Sequence, residues 1–268
     1  MKTRIITGAL FAVILGLFVY FGEGSLEWLF SGLCVVLATT ASFEFTRMLN
    51  KENPKRLISY MAVDFTFIFS LLSVIFFKRD WYYLLVFAFL IGVILVYSLV
   101  YVFVDDFKKR DFADQLLTIF YTSLGFIGFA FLRTESIHLI IYLFIVAMLT
   151  DVFAYFFGIK FGKHRLAEKI SPKKSIEGAI AGLIFGGLAA GFYGYYLEVF
   201  NLSFVIVLLI SFGLSIIAQI GDLVASKFKR EYGIKDYSNI FPGHGGVLDR
   251  FDSSMFAAIF LMIFVMVI

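Results

Sequence analysis

Residues 226–252 read SKFKREYGIKDYSNIFPGHGGVLDRFD, set between two apolar runs, LSFVIVLLISFGLSIIAQIGD at 202–222 and FDSSMFAAIFLMIFVMVI at 251–268. Each run is about the length that crosses a bilayer as a helix, so the polar block reads as a loop mounted on membrane spans. Four cations (Lys227, Lys229, Arg230 and Lys235) precede the turn Pro242-Gly243-His244-Gly245-Gly246. Asp236, Asp249 and Asp252 share the block, and Asp222 stands just before it. Cations bind phosphates, carboxylates hold hard cations, and glycines let backbone N–H groups approach a ligand closely. A positive loop that only sets topology and touches anionic headgroups accounts for the lysines. It does not account for four nearby carboxylates and a glycine turn. The block reads as a phosphate and metal site.

Composition extends the membrane reading to the whole chain. The 268 residues are 61% hydrophobic and 16% charged, with 36 Phe and 14 Tyr. The mean hydropathy is +0.93. Such a chain belongs in a bilayer. A net charge of +3 is too small to suggest a nucleic-acid partner. The single cysteine, Cys34, lies in an apolar run and implies packing rather than a disulfide.

Nine stretches have spanning length: 5–21, 26–43, 57–77, 82–104, 116–132, 137–157, 178–197, 202–222 and 251–268. The first resembles a secretory signal, with Lys2 and Arg4 before an apolar run. It is long for such a signal and lacks a clean cleavage site, so it reads as a retained span. The three prolines, Pro54, Pro172 and Pro242, all fall between spans. With the N-terminus in the cytoplasm, only Lys78, Arg79 and Arg133 fall on the outer side, leaving 20 of the 23 Lys and Arg inside. The sequence thus predicts an all-α polytopic membrane protein of about nine transmembrane helices, N-terminus cytoplasmic. Residues 1–135 read as a helical scaffold. Residues 136–268 carry two long cytoplasmic loops, 158–177 and 223–250, where the chemistry belongs.

Other polar groups gather in that second region. Asp151 shares a helix face with Tyr155 and Gly158, and a carboxylate in hydrocarbon calls for a partner or a water-filled cavity. A structural hydrogen bond to a neighbouring helix is the alternative. The loop Ser171-Pro172-Lys173-Lys174-Ser175 offers cations beside a helix start, with Ser175 a candidate N-cap. Gln219, Asp222 and Ser226 recur at i, i+3 and i+7 on one face. Asp249 and Asp252 are three apart at the entry to the last span, where Asp252 is equally a candidate cap. Outside this group, Glu44 is expected to pair with Arg47, Asp64 to be structural, and His138 and His164 to lie at the surface. The glycines at 178, 182, 186, 187 and 191 form a small face suited to packing within one chain or across a homodimer.

Taken together these residues resemble one family closely. Ser226-Lys227-Phe228-Lys229-Arg230, then Lys235-Asp236, then Pro242-Gly243-His244-Gly245-Gly246 leading to Asp249-Arg250-Phe251-Asp252 is similar to the phosphatidate cytidylyltransferases, the CDP-diacylglycerol synthases. Gly221-Asp222, Asp151 with Ala154, Tyr155 and Gly158, and Ser171–Ser175 look like the same family. Before about residue 130 the likeness is in hydropathy only. The resemblance implies Mg²⁺-dependent nucleotidyl transfer from CTP to phosphatidate in the cytoplasmic membrane of a prokaryote, with the site facing the cytoplasm. It implies catalytic roles for Asp151, Asp222, Lys229, Arg230, Lys235, Asp236 and Asp249, and Mg²⁺ ligation by Asp222, Asp249 and Asp252. Substrate contacts would come from Lys173, Lys174, Ser175, Ser226, Lys227, His244, Gly245, Gly246 and Arg250. A CDP-alcohol phosphotransferase would need its two late aspartates four apart. An ion-coupled transporter would bring proline-broken spans in matching halves. Neither pattern is present.

Overall fold

The computed structural model describes residues 2–22, 26–51 and 57–268. The loop residues Pro54, Lys55 and Arg56 lie outside that range. The elements in order are α1 (Lys2–Phe21), α2 (Glu27–Leu49), α3 (Met61–Phe76), α4 (Tyr82–Phe103), α5 (Lys109–Glu135) and α6 (Ile137–Phe161). A short antiparallel hairpin follows, β1 (Arg165–Ala167) and β2 (Ser171–Ser175). Next come α7 (Ile176–Ala181), a π-helical turn at Gly182–Gly186, α8 (Gly187–Tyr196), α9 (Phe204–Glu231) and α10 (Leu248–Val267). Among the described residues eight helical segments are long and apolar enough to cross a membrane. The first expected span falls on α1, whose apolar stretch Thr7–Phe21 is shorter. The chain is an all-α polytopic membrane protein with one small hairpin.

Two helices outrun their apolar cores. α5 begins at Lys109 rather than 116, with Asp111 in its first turn accepting the Lys108 N–H at 2.8 Å. α9 continues past 222 to Glu231, so Ser226, Lys229 and Arg230 are helical and the expected loop 223–250 shortens to about 232–247. Backbone hydrogen bonds carry on wherever side chains tolerate water, so a helix does not stop where hydropathy falls.

The chain forms two compact units, Met1–Phe131 with Asp236–Arg250, and Leu132–Lys235 with Phe251–Ile268. Residues 236–250, which the sequence places with the second region, pack in the first unit. In the first unit, Ala62, Val93, Tyr97, Phe107 and Ile119 form a buried cluster, and the Phe69 and Phe89 rings stack at 4.7 Å. Thr66 donates to Ser42 Oγ at 3.1 Å, linking α3 to α2. In the second unit, Tyr142 and Ser211 are bonded at 2.7 Å, and Thr150 and Ser215 at 2.8 Å, tying α6 to α9. Such bonds inside a bilayer contribute about 0.6 kcal/mol each. Close approach does the rest: a Cβ on Gly186 would meet Thr150 Oγ1 at 2.6 Å and one on Gly191 would meet Leu208 at 2.4 Å. The small face of the seventh span is therefore filled within the chain.

Candidate active site

The second unit holds a cavity of about 770 Å³. Its walls come from α6 (Asp151, Ala154, Tyr155, Gly158, Ile159), the hairpin region (Arg165, Leu166, Ser171, Lys173, Lys174, Ser175), α7 (Ala179) and α9 (Gln219, Asp222). One face is cationic and hydroxyl-rich, and another is apolar. Ser175 caps α7, its hydroxyl accepting the Gly178 N–H at 3.1 Å, which fixes the strand-to-helix corner that presents Lys173 and Lys174.

Carboxylates concentrate at this cavity. Asp222 is ion-paired with Lys174 and accepts from Ser226 Oγ at 3.3 Å. Ser253 Oγ donates to Asp151 Oδ2 at 3.1 Å, and the Ser253 N–H donates to Asp252 Oδ1 at 2.9 Å. Asp252 lies within electrostatic reach of Asp222, Asp151 and Lys229, and Asp151 within reach of Asp222 and Lys174. Lys229 is buried, at 8% exposure. Arg230 is exposed and braces the loop after α9, donating to the Ile234 carbonyl at 3.0 Å and the Ile170 carbonyl at 3.3 Å. Lys227 pairs with Glu231 at 3.8 Å on an exposed surface, a contact of little energetic weight. Lys235, Asp236 and Arg250 are exposed as well.

The donor chemistry suits a small hard cation. Asp151, Asp222 and Asp252, with the hydroxyls of Ser226 and Ser253, offer only oxygen ligands. Among the described residues no three His, Cys, Asp or Glu side chains are grouped so that together they could hold a metal ion. Mg²⁺ needs only about one or two protein carboxylates, its shell being completed by water and substrate phosphates.

The glycine turn is built in the first unit. Phe241 and Gly245 are paired through Phe241 N–H to the Gly245 carbonyl at 2.9 Å, and the His244 N–H bonds the Phe241 carbonyl at 2.8 Å. Gly243 and Gly245 have φ of 79° and 82°, which side-chain-bearing residues rarely adopt. Asp249 does not present a free carboxylate here. Its Oδ2 accepts the Tyr237 N–H at 2.7 Å and the Gly246 N–H at 2.9 Å, so this oxygen holds the loop together.

The least expected member is Glu44. Rather than pairing with Arg47, which is exposed, Glu44 is 1% exposed. It accepts from Val247 N–H at 3.0 Å, Leu248 N–H at 3.0 Å and Ser238 Oγ at 2.5 Å. Its only sequence signal was an acid near the end of a span, because backbone amides leave no trace in a sequence. Ser253, which bonds Asp151, and Arg165, in the cavity wall, belong to no motif in the sequence. His138 bonds Tyr193 at 3.1 Å and His164 bonds Glu177 at 2.6 Å, both exposed pairs.

The chain is similar to proteins already known. The chain is 46% identical over 152 residues to a phosphatidate cytidylyltransferase of Staphylococcus haemolyticus (strain JCSC1435), a match covering 57% of this chain and 58% of the relative. The same identity and coverage hold for the Staphylococcus aureus (strain COL) protein of that name. The Staphylococcus saprophyticus protein is 43% identical over the same shares. The chain thus spans little more than half the length of these curated relatives. The model of the cytidylyltransferase family, by contrast, matches residues 2–268. With that match running almost end to end, the chain belongs to the cytidylyltransferase family.

Proposed function

We propose that this protein transfers a cytidylyl group from CTP to phosphatidate at the cytoplasmic face of a bacterial membrane, giving CDP-diacylglycerol and pyrophosphate. The observation that carries the reading is the cavity of about 770 Å³, which sets Lys173, Lys174 and Arg165 beside Asp151 and Asp222 on helices of spanning length, with Tyr155 and Ile159 in the same wall. A site of this kind suits a ligand that is anionic at one end and apolar at the other. Relatives named phosphatidate cytidylyltransferase support the choice of substrates, and the cation bias of the loops supports the cytoplasmic orientation.

In this reading a phosphatidate oxygen attacks the α-phosphorus of CTP. The new oxygen–phosphorus bond forms as the bond to the bridging oxygen of the β-phosphate breaks, and pyrophosphate leaves with that electron pair. The nucleophile is already an anion, so the barrier is the meeting of two polyanions. Lys173 and Lys174 draw in phosphate oxygens, and buried Lys229 offsets the negative charge around Asp252. Asp222 and Asp252 would hold Mg²⁺, with Asp151 beside them, and the bound ion would neutralise phosphate charge. In the first unit, Asp249 keeps the turn at 242–246 in shape.

The test is pyrophosphate release by the purified protein in detergent. Release that requires CTP, phosphatidate and Mg²⁺ together supports the reading. Release without phosphatidate, or none with all three present, would refute it.

A further inference from the structure

We infer that Arg230, near the end of α9, is a positioning residue that clasps the β1–β2 hairpin to that helix and keeps the cationic wall of the cavity in place while ligands bind. This rests on the proposed reading of the cavity as the site of transfer. It departs from the catalytic role that the resemblance implies for Arg230. The geometry lies wholly within the second unit. Arg230 is exposed and is not among the residues lining the cavity. Its guanidinium is engaged with backbone: Nε donates to the Ile170 carbonyl at 3.3 Å and Nη1 to the Ile234 carbonyl at 3.0 Å. Ile170 closes the hairpin turn, its N–H bonded to the Ala167 carbonyl at 3.1 Å. Ser171, Lys173 and Lys174, which follow it, all line the cavity.

The hairpin has a second tie to α9, the ion pair between Lys174 and Asp222. The two ties are in register. From Ile170 to Lys174 is four steps of extended strand, about 13 Å, and from Asp222 to Arg230 is eight steps of helix, about 12 Å. Asp222, Ser226 and Arg230 recur at steps of four, along one side of α9. β2 therefore runs antiparallel to the last two turns of α9, with a side-chain rung at each end. Ligands treat the rungs differently. A phosphate on Lys174 and a cation on Asp222 dissolve the ion pair, so that rung is lost as the site fills. The carbonyls held by Arg230 are neutral and belong to residues outside the cavity wall, so this rung stays. The base of the hairpin is anchored separately, Glu177 accepting the N–H groups of Lys163 at 3.1 Å and His164 at 3.2 Å. With the base fixed, the tip is the part that can swing, and Arg230 holds the tip.

The experiment compares full-length wild type, Arg230→Gln and Arg230→Lys in detergent, by the kinetics of pyrophosphate release and by hydrogen exchange of the 165–175 peptide. Both variants should exchange faster there and show KM values for CTP and phosphatidate raised about threefold to tenfold. Turnover at saturation should stay within about twofold of wild type, since ground and transition states lose the same hold. The lysine keeps the charge but not the fork that reaches two carbonyls. A bridge supplies the converse test. Ile170→Cys with Arg230→Cys, joined by a short uncharged bis-maleimide, should bring both KM values and the exchange back towards wild type, while buried Cys34 stays unreacted. The same pair left unbridged should behave like Arg230→Gln. A large fall in kcat with unchanged exchange, or a bridged pair no better than the unbridged one, would make Arg230 a phosphate ligand and overturn the inference. A wild-type protein that releases no pyrophosphate would sink the functional reading instead, with the exchange rates still deciding whether Arg230 holds the hairpin.

Discussion

Lys174 at the end of β2 and Asp222 on α9, 48 positions apart, form an ion pair in the cavity wall, with side-chain exposures of 28% and 21%. Each group is what the other's ligand would replace: a phosphate for Asp222, a cation for Lys174. The pair keeps both charges compensated while leaving them within reach of water. Removing the lysine should therefore have opposite effects on the two kinds of ligand. Lys174→Gln is expected to lower the Mg²⁺ concentration giving half-maximal activity and to raise the KM for CTP or phosphatidate. Each change should be roughly threefold to tenfold, as for a partly exposed charge pair. Mg²⁺ and substrate titrations of pyrophosphate release measure both. An Mg²⁺ requirement that rose would mean the lysine helps to build the ion site.

The three late aspartates should separate by phenotype. Asp222→Asn and Asp252→Asn each remove a carboxylate from the cluster with Asp151, and both should lower kcat by about 100-fold or more while the protein still inserts and purifies. Asp249→Asn alters an oxygen already engaged by two backbone amides. It should loosen the 237–249 segment, read as faster hydrogen exchange there, without changing the Mg²⁺ dependence. A full loss of turnover in Asp249→Asn, restored by high Mg²⁺, would return Asp249 to the ion's ligand set.

The spans were readable because hydropathy is a local property: a helix in lipid advertises itself residue by residue. The i, i+3, i+7 face of Gln219, Asp222 and Ser226 was readable for the same reason, and Ser226 does bond Asp222. Helix ends were less legible. α9 runs on through Lys227 and Glu231, whose i, i+4 pairing is compatible with helix in water. Tertiary partners that are backbone amides were not legible at all. The sequence offers Asp249 as a metal ligand and Glu44 as a neighbour of Arg47, and it carries no sign of the N–H groups each accepts from, because those are identical at every residue.

Gly221 precedes Asp222 and marks where α9 and α10 touch in the second unit. A Cβ there would lie 2.7 Å from the Asp252 carbonyl oxygen and 3.0 Å from the Phe256 side chain. The backbone cannot yield locally, so Gly221→Ala should push the helices apart beside two of the carboxylates, at a cost of about 1–3 kcal/mol. Gly213 on the same helix faces open space within 4 Å, so Gly213→Ala is the control for helix propensity alone. Melting in detergent should fall for Gly221→Ala and hold or rise for Gly213→Ala, with turnover lost only in the former. Equal behaviour of the two would show that the crossing tolerates a methyl group.

The orientation can be tested with the chain's own cysteine left in place. Cys34 is buried at 2% exposure, so a membrane-impermeant maleimide should leave it unlabelled in intact cells. Asp80, between α3 and α4, and Lys235, after α9, are both exposed and can each carry a new thiol. The cations divide 20 to 3, with Lys78 and Arg79 directly before Asp80 on the minority side, and Lys/Arg excess marks the cytoplasmic loops. Asp80→Cys should therefore label in intact cells, and Lys235→Cys only once the membrane is permeabilised. Because α9 and the loop after it carry Asp222, Lys229 and Lys235 together, the same result would put the carboxylate cluster on the side where CTP is made. Labelling of both thiols in intact cells would break the alternation of spans between them and move the cluster out of reach of cytoplasmic nucleotide.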